Sequence, residues 1–424
     1  MNQFHCSGRR YFHLGCECRK TLPDFDIAPG AFYPSCADKK VIGEILVNKL
    51  HRFRLECIQT RQRWGETPPR YAARKVRQPK DPHVSTFVLA PEPVAVSTIE
   101  AVVREARSGL LATPKTLSPW LFYDEAGSHL FEEITELPEY YLTRTERGIF
   151  SDHAEEILRE AAASHGPHPA GKLTLIELGA GTATKTGILL REAVRQQDSV
   201  VYQPVDVSET ALAEATENIL ANIPGVTVRS QVTDYTREGL PLDRLPNTRT
   251  LALYIGSSIG NFTPDEARGV LRNLRAQLLP GDVLLLGTDL VPGKHKDEAT
   301  LLAAYDDAAG VTAAFNLNVL TRLNRDLGAD FDVENFRHKV LWNPAASRIE
   351  MHLESRIAQR VHLPANDSTA LPIDFAAGET IHTENSYKFT RPAIRGLLAS
   401  AQFKTTKSWQ DAKGLFAVTL ATAV

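Results

Sequence analysis

The chain has 424 residues, 43% of them hydrophobic, with 48 Lys+Arg against 51 Asp+Glu and a formal net charge of −3. That length can bury a core large enough for two domains or more, and no stretch approaches the roughly 18 unbroken apolar residues of a membrane span or the paired regions of a secretion signal. The small total charge hides an asymmetry, because residues 1–80 net +9 and the remainder −12.

All five cysteines (Cys6, Cys16, Cys18, Cys36 and Cys57) lie in the first segment. A chemistry-bearing part without cysteine suits a reducing cytoplasm. Cys16 and Cys18 beside His5 and His13 match no common zinc spacing, so no metal is expected. Basic residues with Phe, Tyr and Trp between them are a nucleic-acid composition. Gly, Pro and Arg nevertheless break any periodicity through GETPPRYAARKVRQPKDP. Residues 1–95 therefore read as a basic, poorly ordered extension.

From about residue 96 the pattern becomes helical. Ser97 is placed to cap TIEAVVREARSGLLA, whose apolar residues recur at helical spacing. After Pro119 an aromatic-rich stretch carries Tyr123, Phe131, Tyr140 and Tyr141, and Thr143 to Glu146 reads as a capping box opening the next helix. Core packing accounts for any one of these rings. As a cluster ahead of a cofactor domain they read as a lid or pocket wall, and aromatic faces attract cations by roughly 0.5–2 kcal/mol each.

The run LIELGAGTATK, Leu175–Lys185, is a strand that turns at Gly179 and Gly181 into a helix. Glycine is needed there for a sharp turn and for close approach of a ligand to the backbone. Thr184 stands where a dinucleotide fingerprint has its third glycine, which argues for a nucleoside cofactor such as S-adenosylmethionine. Asp206 closes a second run, VVYQPVDV, where a carboxylate can accept from a ribose diol. VTVRSQVTDY reads as a third strand ending in Asp234 and Tyr235, suited to an adenine amine and ring. TLALYIG runs into Asn261, then come a helix from Pro264 and the strand VLLLGTDL. Alternating strands and helices specify a doubly wound, mostly parallel sheet with ligands beyond its carboxyl edge. A second helical insertion follows Leu290. RIEMHLES then alternates strictly, with Met351 on one face and Glu350, His352 and Glu354 on the other, and IHTENSYKFT places Glu384 and Ser386 on one face. Pattern alone leaves Met351 as core filling and Glu384 as a solvated residue. A helix and a closing hairpin around Asp411–Gly414 end the chain.

The blocks FYDEAGSHLFEEITELPEYYLTRTE, ELGAGTATKT, SSIGNFTPDE, LLLGTDLV, AAYDDAAGVTAAFNLNVL and TENSYKFT resemble the histidine N-alpha-methyltransferases of the ergothioneine pathway. They keep that family's order over about three quarters of the chain. The resemblance implies an α/β fold: a Rossmann-like class I methyltransferase domain at 145–290 and 389–424, with a second α+β substrate-binding domain built from 100–144 and 291–388. It implies S-adenosylmethionine contacts from Gly179, Gly181, Lys185, Asp206, Asp234 and Tyr235, where the family often has Phe at the last position. It implies that Tyr140, Asn261 and Tyr305 hold the backbone end of L-histidine. Glu384 and Ser386 would read the imidazole, Met351 would shape that pocket, and Phe131 and Tyr123 would line the approach to the methyl donor, with Tyr123 or a water it orders taking the amine proton. The implied product is the trimethylated betaine hercynine, made by a monomer.

Physical chemistry fits these roles. A neutral imidazole offers one donor and one acceptor, matched by a carboxylate and a hydroxyl. A substrate carboxylate needs donors, which Tyr hydroxyls and an Asn amide supply. Holding both ends aims the α-amine at the sulfonium methyl. The rival within the enzyme class is a methyltransferase for tryptophan or its prenylated form, against which a buried Glu384 counts because indole has a single donor. A non-catalytic methyltransferase-like subunit would have lost Asp206, Tyr140 or Asn261. A nucleic-acid methyltransferase lacks support in a catalytic part of net charge −12.

Overall fold

The computed structural model describes residues 94–163, 171–236, 240, 242–364 and 370–424, all within the compact unit His83–Val424. Residues 1–93, and with them the reading of the basic extension and its cysteines, lie outside the described residues.

Helix α1 spans Val94–Leu110, so Ser97 lies within the helix and not at its start. A two-residue strand β1 (Lys115–Thr116) follows, then α2 (Glu125–Glu136), whose cap is Asp124 accepting from the Gly127 amide. Helix α3 (Tyr141–Ala162) begins two residues before Thr143. The expected capping box is therefore absent: Thr143 and Glu146 already sit in the helix, and the Glu146 carboxylate turns inward, fully buried.

Next come β2 (Lys172–Leu178), α4 (Thr186–Gln197), β3 (Val200–Asp206) and α5 (Glu209–Asn222). The single strand expected over 226–235 is two short ones, β4 (Val226–Val228) and β5 (Gln231–Val232), each pairing with β3. Strand β6 (Thr248–Tyr254), α6 (Pro264–Gln277) and β7 (Val283–Asp289) complete the parallel part. A capping box does form at α6, between Thr263 and Glu266. Beyond lie α7 (Glu298–Ala303), α8 (Val311–Leu327), β8 (Phe336–Asn343), β9 (Arg348–Ser355), β10 (Gln359–Leu363), β11 (Leu371–Phe375) and β12 (Thr380–Tyr387). Helix α9 (Arg391–Ser400) leads into the hairpin β13 (Phe403–Gln410) and β14 (Phe416–Ala423).

The main sheet runs β13-β14-β7-β6-β2-β3-β4, parallel except for the two hairpin strands. This is a doubly wound Rossmann-like sheet with an antiparallel closing hairpin. Its central strands are apolar on both faces because helices cover both. Leu173, Leu175, Leu251, Leu253, Val283 and Leu285 face one core, which also takes in α3 and α4. Ile176, Leu178, Ala252, Tyr254, Leu284 and Leu286 face the other, against α6 and α9.

A second sheet has the order β1-β12-β9-β8. Its Ile349, Met351, Leu353 and Ile381 belong to the same core as α3, so apolar packing is continuous between the sheets. After β12 the chain runs beside the end of β7, with the Phe389 amide on the Asp289 carbonyl at 2.9 Å and the Val291 amide on the Phe389 carbonyl at 3.0 Å. That junction lays the end of β12 against the carboxyl edge of the main sheet. Among the described residues, no helix is long and apolar enough to cross a membrane.

Candidate active site

The glycine turn follows β2. Gly179 and Gly181 adopt φ of +68° and +51°, values that side chains disfavour. A Cβ on Gly179 would stand 3.2 Å from the Tyr235 hydroxyl, so the backbone and the Tyr235 ring form two walls of one cleft. The Asp206 carboxylate accepts from the Gly181 amide at 3.0 Å and the Ser208 amide at 2.9 Å, which fixes it at the end of β3 facing the turn. Burial raises its pKa, and those backbone donors oppose the rise. Asp234 caps its own loop through the Thr236 amide, 3.0 Å. The Tyr235 ring meets Tyr254 edge-on at 5.8 Å.

Beneath the turn, buried Glu177 ties β2 to α4 through the Thr186 hydroxyl at 2.8 Å and to β3 through the Tyr202 hydroxyl. Burial pushes the Glu177 carboxyl up to about 7, against the pull of those hydroxyls.

Sequence reasoning missed Glu146, whose spacing imitated a helix cap. Its carboxylate receives the Gly256 amide at 2.9 and 3.0 Å and the Lys185 ammonium at 2.5 Å. One carboxylate thus pins the loop after β6 and the lysine that follows the glycine turn.

At the other end stands a buried charge cluster that sequence reasoning also missed. Asp289, the last residue of β7, is fully buried and meets the ammonium groups of Lys296 at 2.6 Å and Lys388 at 2.8 Å. It also accepts from the Tyr141 hydroxyl at 2.7 Å. Burial alone would raise the Asp289 carboxyl, but the two lysines hold it below the usual range. Lys388 donates onward to the Tyr305 hydroxyl at 2.8 Å and the Ser386 hydroxyl at 2.9 Å, and these two lie 2.7 Å apart. The structure thus joins Tyr305 to Ser386 directly, although sequence reasoning gave them opposite ends of the substrate.

Glu384 stands across the strand pair from Met351, and Ser386 across from Ile349. The register shifts between His382 and Glu384, and this bulge turns His382 to the opposite face, opposite His352. Burial pushes the Glu384 carboxyl up to about 8, with the Lys388 charge pulling it down. The turn Ser258–Asn261 docks on the same strand end: a Cβ on Gly260 would lie 2.8 Å from the Tyr387 carbonyl. The Asp289 amide donates to the Ser257 hydroxyl at 2.9 Å, so the turn that carries Asn261 is held from both sheets.

A belt of rings closes the space. Tyr123 meets Phe131 at 5.7 Å, Phe131 meets Tyr140 at 6.4 Å, and Tyr140 meets Tyr305 at 6.2 Å. Phe315 of α8, unmarked in the sequence because it fits a helical core pattern, packs on Tyr123 and Phe131. The Tyr123 hydroxyl is raised well above its usual pKa, first by burial and then by the charge of Glu384 and the influence of Tyr140, Asp206 and Tyr235. It therefore lies within electrostatic reach of residues from both halves of the expected site.

On the far face of the second sheet, Glu350, His352 and His382 cluster. The two imidazoles stack at 4.7 Å with planes 22° apart, so their in-plane lone pairs run side by side and do not converge. Glu350 is already bound by Arg348 and Asn343. This arrangement does not make a metal cage.

The chain is similar to known proteins over this whole region. The family described as "Histidine-specific methyltransferase, SAM-dependent" matches residues 102–423. A protein of Mycolicibacterium smegmatis named Histidine N-alpha-methyltransferase is 44% identical over 338 residues, 79% of this chain and 99% of that one. A protein of the same name from Mycobacterium tuberculosis is 42% identical over 76% of this chain and 94% of its own length. Ergothioneine biosynthesis protein 1 of Schizosaccharomyces pombe is 29% identical over 69% of this chain and 37% of its own length.

Proposed function

The chain belongs to the family of histidine-specific, S-adenosylmethionine-dependent methyltransferases, and we propose that it places methyl groups on the α-amine of L-histidine in ergothioneine synthesis, with hercynine as product. The observation that carries the substrate reading is the pairing of Glu384 with the Ser386–Tyr305 hydroxyls on one wall, closed by Met351.

The donor site fits a nucleoside with a cationic sulfur. Gly179 and Gly181 leave a cradle without side chains, Asp206 turns a carboxylate to it, and Tyr235 provides a ring face. In our assignment Asp206 accepts from ribose, Asp234 and Tyr235 take the adenine, and Lys185, steered by Glu146, completes the rim. S-adenosylmethionine supplies there a methyl group bound to a sulfonium.

The chain's own part is alignment and proton control. Asn261 and Tyr140 orient the substrate carboxylate, and Tyr305 stands where that carboxylate meets the imidazole subsite. Glu384 accepts an imidazole N–H. Fixing two ends of a small molecule removes most of its rotational freedom, and such positioning can supply several kcal/mol of barrier reduction. The raised pKa of Tyr123 keeps its hydroxyl protonated at neutral pH, so it is no phenolate base; its lone pairs can hold the amine or a water that carries the proton away. The rings of Tyr123, Phe131 and Tyr140 tolerate an amine that grows into a trimethylammonium cation.

Calorimetry on the protein saturated with S-adenosylhomocysteine tests the substrate reading. Histidine should bind and tryptophan should not. Preference for tryptophan would keep the enzyme class and overturn the pocket assignment.

A further inference from the structure

We propose that Lys388 is a positioning residue that turns the Tyr305 and Ser386 hydroxyls into donors toward the substrate, so that the pocket takes the histidine side chain as a neutral imidazole with its N–H on Glu384. The inference rests on the histidine reading above and specifies the protonation state it requires.

Lys388 is buried, only 4% exposed, with its ammonium wholly enclosed. An ammonium has three N–H donors and no acceptor. Here all three have partners: Asp289 at 2.8 Å, the Tyr305 hydroxyl at 2.8 Å and the Ser386 hydroxyl at 2.9 Å. Each hydroxyl therefore has one lone pair filled from behind. The two hydroxyls also share a 2.7 Å bond, which uses one of their two hydrogens and a second lone pair on whichever oxygen accepts it. Whichever way that bond runs, one O–H is left, and the oxygen carrying it is saturated or nearly so. The oxygen that keeps the free O–H can then only donate, while the other retains one open lone pair. When a ligand enters, both hydrogens can turn outward, toward a carboxylate oxygen and toward a bare ring nitrogen.

Glu384 supplies the opposite polarity. It lies two residues before Ser386, on the same face of β12. Among the described residues its carboxyl group accepts no hydrogen bond, and the Lys388 ammonium is the charge that favours its ionised form. A wall with a donor at one point and a carboxyl oxygen as acceptor at the other matches an imidazole with one bare nitrogen and one N–H. An imidazolium would set an N–H against an O–H, a mismatch of two donors. The charged and titratable groups facing this centre are Asp289 of β7, Lys296 beyond it and Tyr141 of α3 on one side. On the other are Tyr140 and Tyr123, both held protonated by burial, and Glu384 itself. Lys296 holds Asp289 without touching either hydroxyl, since its remaining bonds go to the Leu290 and Leu415 carbonyls. The roles of the two lysines can therefore be separated.

The test uses the full chain with S-adenosylhomocysteine and ¹⁵N-labelled L-histidine, followed by NMR from pH 5.5 to 8. The wild type should show one protonated and one bare ring nitrogen, in a single tautomer, even below the free imidazole pKa of about 6.5. A bound ring with both nitrogens protonated would overturn the proposal while leaving histidine as substrate. No histidine binding at all would take both readings down. In Lys388→Met the bound ring should mix tautomers or gain its second proton, and the KM for histidine should rise at least about tenfold. S-adenosylhomocysteine affinity should stay within about twofold of wild type. Lys296→Met, which strips Asp289 of a partner but leaves both hydroxyls their Lys388 bonds, should keep the wild-type ring spectrum. If Lys388→Met kept it as well, Lys388 would not set the protonation state.

Discussion

Replacing Glu146 by Gln probes the junction between the helix before the main sheet and the donor site. The wild-type carboxylate is fully buried and receives one ammonium and one backbone amide, while the Lys185 side chain is 20% exposed. Removing one partner of a buried ion pair costs about 3–5 kcal/mol. Two features reduce that here: Lys185 can turn partly to water, and the Gln oxygen still accepts from Gly256. A cost of about 2 kcal/mol remains, equivalent to about thirtyfold in an equilibrium constant. Glu146→Ala also leaves the Gly256 amide without its acceptor, which adds about 1–3 kcal/mol. Because Glu146 steers Lys185 and the loop after β6, part of the loss should fall on the donor site. Thermal melts and calorimetry with S-adenosylhomocysteine measure the two shares. The Gln variant should melt lower and bind the ligand at least several-fold more weakly, with the Ala variant worse in both. A Gln variant that melts and binds as wild type would refute the reasoning.

Glu384→Ala should raise the KM for histidine about ten- to a hundredfold, the size of a buried hydrogen-bond partner lost, with little change in S-adenosylhomocysteine affinity; equal losses of both would remove Glu384 from the imidazole subsite. The same residue predicts a stability trend. Burial raises its folded pKa to about 8 from the ordinary 4.5, so the folded state keeps a proton that the unfolded state has released across that window. Stability from this group is complete below about pH 4.5 and is lost as pH rises through 8. Glu384→Gln should therefore melt above wild type at pH 8 to 9 and converge with it near pH 5, and a pH-independent difference would contradict the account. Deleting residues 1–93, which end where α1 begins, should leave histidine turnover nearly intact; a large loss would show that the extension takes part.

The parts legible in the sequence were those written locally. The glycine turn after β2, the apolar central strands and the alternation in β9 each follow from a short-range rule, and the order of the blocks carried the rest of the fold. The errors arose where tertiary contacts decide. Thr143 to Glu146 obeys the spacing of a capping box, but the helix starts at Tyr141, and a buried acceptor for Lys185 and Gly256 won that carboxylate. A strict period of two through β12 would keep His382 on the face of Glu384, whereas the bulge separates them. Asp289, Lys296 and Lys388 belong to separate stretches of chain, and no spacing announces that they share one buried centre. Phe315 resembles any core residue of a helix until α2 and α8 bring Tyr123 and Phe131 to it.

The central claim meets its most direct test in mass spectrometry of the purified chain with S-adenosylmethionine and a mixture of the twenty amino acids. The account predicts a gain of three methyl groups on histidine and on no other amino acid. Methylated tryptophan, or no methylated amino acid at all, would contradict it.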